Sequence, residues 1–364
     1  MHANPGAIEY PFQQYPADGA TIEVAPGIHW LSTPLPFRLR AINLYLLEDG
    51  DGWTIVDCGY SRPDVRAQWE QVWATTLKGK PVTRLVVTHY HPDHAGNSAW
   101  ICERWNLRPW MTQAEWLTAN LAMLDRKAGD LRERIGFYIA NGLAPADQEL
   151  VRQRRGQYSD GVRLPPSFHR MSDGDVLRIG GHDWTVIVSR GHSPEHASLY
   201  CEQIGVFIAG DQLLPEITTN VSVWPDEPEA DALRQFLDSL ERFARVLRPD
   251  TLVLPSHRRP FRGVQARVAE IERHHRERLD ALLAVAASGP VTTGGLLQHL
   301  FRGLLDGHQL GFAMGEALAH VNYLMHQGLL RRYVDNGITR YALTAPPAVA
   351  QGAPAAAVAP ASVS

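Results

Sequence analysis

Residues 88–97 read THYHPDHAGN and bring His89, His91, Asp93 and His94 within six positions of one another. Imidazole nitrogens and a carboxylate oxygen are the donors that hold zinc, iron or manganese. A cation held there would polarise a substrate oxygen and lower the pKa of a bound water from near 16 towards roughly 7, which makes a nucleophile at neutral pH. The plain alternative is a solvated histidine-rich turn.

Such a cluster needs a rigid support, and the flanking residues supply one. VTRLVVTH, ending at His89, is β-branched and apolar and reads as a buried strand, while Gly96 and the following NSAWICERW read as a loop entering a helix. Loops at strand ends are where scaffolds carry reactive groups. Upstream, TIEVAPGIHWLS and AINLYLLEDGDGWTIVDCG are strand-like, the latter a hairpin with Gly/Asp turn chemistry. RPDVRAQWEQVWATTLKG has helical spacing, with Pro at its start and Gly at its end. Downstream, DVLRIGG-HDWTVIVSR, ASLYCEQ, GVFIAGD and TLVLPSH read as strands, with the amphipathic helix ADALRQFLDSLERFARVL before the last of them. Pattern alone predicts α/β or α+β.

The HxHxDH spacing resembles the signature of the metallo-β-lactamase fold superfamily. Members close their site with a distant His, an Asp and a last His. GHSPEH (His192), FIAGDQLL (Asp211) and LVLPSHRRPF (His257) provide these in order, each after an apolar strand-like run. The resemblance covers roughly residues 20–262 and implies an α+β fold, a four-layer αββα sandwich of two face-to-face sheets with helices outside. It implies a first metal on His89, His91 and His192, a second on Asp93, His94 and His257, and Asp211 bridging them. The cofactors would be two divalent ions, zinc first, with iron or manganese also suited to these donors. A metal-bridging hydroxide would be the nucleophile, with Asp93 orienting it or relaying its proton. A Cys ligand, which some lactamases use, is absent, and this favours the glyoxalase II-like branch. Asp57, in TIVDCG, matches the family's first motif and is expected to take an N–H from a ligand histidine and fix its tautomer. His196 is expected to do similar work, and Ser256 is a weaker candidate. His274 and His275 read as surface or packing residues, and Cys58 as a small buried residue.

Two segments exceed the minimal pattern of the catalytic domain, residues 1–262. Residues 112–170 read as two or three helices, longer than a connection requires. Insertions at this place in related hydrolases form a lid or wall over the metals, and a helical brace is the plainer account. Residues 263–344 read as helices followed by a hairpin around Asp335-Asn336-Gly337, which resembles a winged helix. Its expected recognition helix, Gly311 to Gln327, has no Lys or Arg and one acid, Glu316. Phosphate contact needs cations, so packing or homodimerisation is the better reading. Residues 345–364, rich in Ala and Pro, lack the large apolar groups of a core and are expected to be disordered.

Composition sets the outer bounds. At 364 residues, 45% hydrophobic, 20% charged and with net charge -4, the chain can bury a sizeable core and has no general attraction for nucleic acid or anionic membrane. The first residues lack a basic start and an apolar stretch, and no run is long enough to span a membrane. Cys58, Cys102 and Cys201 are far apart without CxxC spacing, so a cytoplasmic setting is the default. The expected partner is a small-molecule substrate, not nucleic acid or membrane. Asn220, Trp224 and Tyr138 are candidates to touch it. Tryptophans 100, 105, 110 and 116 and Phe137 are more often core, and Arg152, Arg154 and Arg155 suit a solvated helix face better than an anion site. The leading function is hydrolysis of a thioester, ester or lactone of a small molecule. An iron-dependent persulfide dioxygenase, a nuclease of the same superfamily and a catalytically idle binding module are the alternatives.

Overall fold

The computed structural model describes residues 7–36, 39–124, 129–152, 158–301 and 306–344. The Ala/Pro-rich end, Arg154 and Arg155 lie outside the described residues. Among those described, strands β1 (Thr21–Ala25), β2 (Ile28–Pro34), β3 (Ala41–Asp49), β4 (Gly52–Val56), β5 (Val82–Val86), β6 (Trp110–Thr112) and β7 (His169–Met171) lie side by side in that order. A second sheet runs β12 (Leu252–Pro255), β11 (Val206–Gly210), β10 (His196–Cys201), β9 (His182–Ser189), β8 (Val176–Ile179).

The layers follow from strand period. In β3, Tyr45 and Leu47 face the second sheet and pack with Trp184, Val186, Leu199 and Ile208. Alternate residues Ile42, Leu44 and Leu46 point the other way. There they meet Val65, Trp69 and Val72 of helix α1 (Pro63–Thr75), joined by Ile101 of α3 (Ser98–Trp105) beyond the single turn α2 (Pro92–Ala95). A strand buried on both faces reads as a continuous apolar run, as AINLYLL does. The outer face of the second sheet (Ile187, Phe207, Val253) is covered by α8 (Ala232–Val246) and α9 (Val264–Ala286). This is the four-layer αββα arrangement.

The connection from β6 to β7 holds α4 (Gln113–Met123), α5 (Gly129–Ala140), α6 (Pro145–Arg152) and the turn α7 (Tyr158–Gly161). Ile135, Tyr138, Leu143 and Val151 of this stretch share one core with α8, α9 and the C-terminal helices α10 (Thr293–Leu300) and α11 (Gly307–His326). Tyr138, expected near substrate, is instead fully buried, and its hydroxyl donates to the Gly311 carbonyl at 3.3 Å. A ring that large is worth more in the core than at a wet site. The chain closes with the hairpin β13 (Leu330–Asp335) and β14 (Ile338–Leu343). Asp335 pairs with Ile338 across Asn336 and Gly337, whose φ of 48° and 77° make the two-residue turn that Asn-Gly favours. Helix α11 is lined by buried Leu310, Ala313, Met314, Ala317, Leu318 and Val321. No described helix is long and apolar enough to cross a membrane.

Candidate metal centre

Strand direction gathers the donors at one edge of the sandwich. β4 and β5 are parallel, so Asp57 and His89 leave their ends on the same side. β9 is antiparallel to β10, which is antiparallel to β11, and β11 is parallel to β12. β9, β11 and β12 therefore point the same way, and His192, Asp211 and His257 emerge together beyond them.

Two groups of donor atoms result, each within 4.8 Å: His89, His91, His192 and Asp211 in one, Asp93, His94 and His257 in the other. In the first, His89 Nε2 is 2.9 Å from His91 Nδ1 and 3.2 Å from His192 Nε2. Asp211 stands between the groups. Its Oδ2 is 3.5 Å from His192 Nε2, and its Oδ1 is 3.5 Å from His94 Nε2 and 3.4 Å from His257 Nε2. Asp93 Oδ2 closes the second group at 3.4 Å from His257 Nε2 and 3.8 Å from His94 Nε2.

The donor set fits divalent cations. His94 Nδ1 donates to Asp57 at 2.7 Å, His192 Nδ1 to the Asn220 carbonyl at 2.8 Å and His257 Nδ1 to the Ala41 carbonyl at 3.0 Å. With those protons committed, each Nε2 presents a lone pair to carboxylate oxygens. His94 Nε2, His257 Nε2 and Asp211 Oδ1 are buried without a hydrogen-bond partner. Lone pairs facing lone pairs away from water repel unless a positive charge lies between them. The electrostatics of the pocket point the same way. Burial lowers His257, but Asp211 and Asp93 outweigh it and push its pKa up to about 10. Burial likewise opposes charging His94, and Asp57, Asp211 and Asp93 hold it well above its ordinary value. Protons thus neutralise this pocket wherever a cation does not. In the first group burial prevails: His91 falls to about 3, and His89 and His192 are also lowered, with neighbouring imidazoles adding to the effect. Neutral imidazoles are the form that binds metal.

Comparison with known proteins decides the family. The metallo-beta-lactamase superfamily profile matches residues 38–257, and the profile of a metallo-beta-lactamase-like C-terminal domain matches residues 279–344. The chain belongs to the metallo-beta-lactamase superfamily. It is similar to the crystal structure of a beta-lactamase domain protein from Burkholderia ambifaria, with 45% identity and a TM-score of 0.86 over 93% of this chain and 98% of that one. A probable metallo-hydrolase of Bacillus subtilis, YqjP, is 26% identical over 312 residues, 83% of this chain and 93% of its own. A hydroxyacylglutathione hydrolase of Cereibacter sphaeroides is 24% identical over 160 residues, 44% of this chain and 42% of its own.

Around the superfamily's donor set, further residues hold the loops. Asp57, at φ 62°, accepts from the Thr88 amide (2.8 Å) and the Thr88 hydroxyl (2.9 Å) as well as from His94. His196 acts differently from expectation. Its Nε2 accepts from the Asp211 amide at 3.1 Å, so it orients the backbone of Asp211 and not a histidine ring. It fits because Gly210 precedes Asp211 at φ 55°, where a Cβ would lie 2.3 Å from that Nε2. Two supports went unread in the sequence. Asn43 donates from Nδ2 to the Pro255 and Arg258 carbonyls (2.8 and 2.5 Å), clamping the turn that carries His257; the signal was one Asn within the apolar run AINLYLL. Glu115 of α4 is fully buried and accepts from the Tyr90 amide (2.9 Å), the Ser193 hydroxyl (2.7 Å) and the Glu195 amide (2.7 Å). It ties the loop of His89 and His91 to that of His192, and nothing in QAEWLTANL announces this.

Other expected residues fall as follows. Asn220 is at the centre through its backbone carbonyl, while its side chain donates to Glu316 at 3.3 Å and accepts from Ser222 at 2.7 Å. Trp224 is half-buried, edge-on to Phe312, with the Arg134 guanidinium 5.7 Å from its ring. Ser256 is buried and offers its carbonyl to the Asn43 amide. Cys58 is buried, donates to the His94 carbonyl, and burial raises its thiol pKa well above the ordinary value. Phe137 packs against the insertion's core. Trp100 stacks on Trp73, Trp116 on Phe168, and Trp105 lies edge-on to Trp73, in the outer layer under α1; Trp110 stacks on His169. His275 is buried and bonded to His320 at 3.1 Å, and His274 is half-buried beside it. Arg152 is exposed, 3.8 Å from Glu149.

Proposed function

We propose that the chain is a dinuclear metal-dependent hydrolase that cleaves a thioester, or a related ester or lactone, of a small molecule. The observation that carries the reading is the position of Asp211 between two donor groups, its Oδ1 facing His94 Nε2 and His257 Nε2 with none of the three atoms given a hydrogen-bond partner. His89, His91 and His192 would hold one ion, Asp93, His94 and His257 the other, and Asp211 both. Divalent ions bound there supply Lewis acidity and a water activated at neutral pH. The chain supplies the rest. Asp57, the Asn220 carbonyl and the Ala41 carbonyl hold imidazole protons on the outward nitrogens, so the inward lone pairs stay free. Asp93, 14% exposed at its side chain, is the donor placed to orient an incoming water.

Thioester cleavage suits this site because a thiolate leaves without being protonated. The Tyr158 hydroxyl, near the metal loop, is committed to the Tyr90 carbonyl, and Cys58 is sealed in the core. The hydroxyacylglutathione hydrolase relative supports an acyl–sulfur bond as the target. The ions are zinc on donor chemistry, with iron or manganese compatible. Helix α11 is largely buried and holds no Lys or Arg, which disfavours nucleic acid as substrate.

Elemental analysis of the purified protein, with turnover on thioester, lactone and phosphodiester substrates, tests the reading. We expect two metal equivalents and hydrolysis fastest on the thioester. His91→Ala should lower metal content and abolish turnover with the fold retained; full activity in that variant would refute the site.

A further inference from the structure

We propose that helix α11 of the C-terminal region is a working part of the metal centre, with Glu316 as a positioning residue for His192. This rests on the reading of His192 as a metal ligand. His192 lies on a short loop after β9, and its outward nitrogen Nδ1 is held by the Asn220 carbonyl. That carbonyl sits in the segment 219–223, which forms no helix or strand of its own. Something outside must fix it.

The contacts come from two directions. From the catalytic side, the Thr219 hydroxyl donates to the Asp211 carbonyl at 2.5 Å. From the C-terminal side, Glu316 accepts from Asn220 Nδ2 at 3.3 Å, and the Gly315 carbonyl accepts from the Val223 amide at 3.0 Å. Ser222 completes the clamp by donating to Asn220 Oδ1 at 2.7 Å. The Asn220 side chain is thereby held at both ends.

Glu316 is itself held. Its carboxylate pairs with Arg278 of α9, both largely out of solvent, and its carbonyl accepts from His320 Nδ1 at 2.7 Å. A buried carboxylate with a cationic partner has few alternative positions. Gly315 allows the approach: a Cβ there would lie 2.7 Å from both the Ser222 Cβ and Oγ. The link is positional. Glu316 touches the amide of the Asn220 side chain, whereas His192 touches its backbone carbonyl, so no proton passes between them.

The test measures zinc affinity by chelator competition and the visible spectrum of the cobalt-substituted protein, on the full chain. Glu316→Ala should weaken zinc about tenfold or more and shift the cobalt bands, and Glu316→Gln, which keeps an oxygen towards Asn220, should recover much of both. Gly315→Ala leaves Glu316 in place while its methyl pushes on Ser222; it should weaken zinc by more than any fall in its melting temperature explains. Leu296→Ala, a buried change in α10, should lower the melting temperature and leave zinc affinity alone. Unchanged affinity and cobalt bands in both Glu316→Ala and Gly315→Ala would overturn the inference, as would equal weakening in Leu296→Ala. If His192→Ala also left zinc affinity unchanged, the functional reading itself would fall.

Discussion

Asp57 shows how much one side chain decides. Its two oxygens receive three protons, from the Thr88 amide, the Thr88 hydroxyl and His94 Nδ1. The last fixes the tautomer of His94, so that Nε2 faces Asp211 as a lone pair. In Asp57→Asn the side-chain oxygen can still take the Thr88 amide, but the amide nitrogen meets His94 Nδ1 as a donor. The imidazole would then carry its proton on Nε2, where it cannot ligate. We expect zinc binding at the second position to weaken about 10–100-fold with little change in melting temperature, seen as loss of one equivalent in a titration. Two equivalents bound at wild-type affinity would show that the tautomer is set elsewhere.

At the scale of elements, α4 does more than fill the insertion. Glu115 reaches from it to both histidine loops, and burial raises its pKa to about 7, the bonds from Ser193, Glu195 and Tyr90 pulling the other way. Removing it as Glu115→Ala leaves two part-buried amides and the buried Ser193 hydroxyl unpaired. That should cost roughly 1–3 kcal/mol per stranded group by chemical denaturation and lower kcat through looser histidine loops. The pH dependence has a definite sign. A carboxyl whose folded pKa lies above its ordinary 4.5 binds its proton more tightly when folded, so ionisation costs stability as pH rises from about 4.5 to about 7. Metal-free wild type should therefore lose stability relative to Glu115→Gln across that window. A constant difference over the same range would mean that Glu115 titrates normally.

Across the whole molecule, the centre is a charge balance between five strands of the sandwich and the loops they carry. Without metal, Asp57, Asp211 and Asp93 hold a proton on His94, and Asp211 and Asp93 hold one on His257 up to about 10. Binding a cation must expel them. Zinc affinity should rise with pH through neutrality by about tenfold per unit for each proton displaced, and loading in weak buffer should acidify the solution. A pH-independent affinity would mean that the histidines are already neutral. The same scale joins insertion and C-terminal helices, since Ile135, Tyr138 and Val151 share a core with Leu310, Met314 and Leu318.

The local chemistry was written in the chain. Closely spaced donors such as His89, His91, Asp93 and His94 can be read directly, because a few residues of loop bring them together whatever lies elsewhere. The layers were partly legible, since period-two burial in β3 and the amphipathic face of α8 follow from residue order. The resemblance supplied His192, Asp211, His257 and the sandwich. What only tertiary structure decided were the contacts between distant segments. Asn43 reaches Pro255, Glu115 reaches Ser193, and Glu316 reaches Asn220. A side chain's hydrogen-bond partner depends on which backbone groups the fold leaves beside it. One Glu in a helix therefore looks the same on paper whether it faces water or pins an active-site loop, and Tyr138 could pass for a substrate contact until packing claimed it.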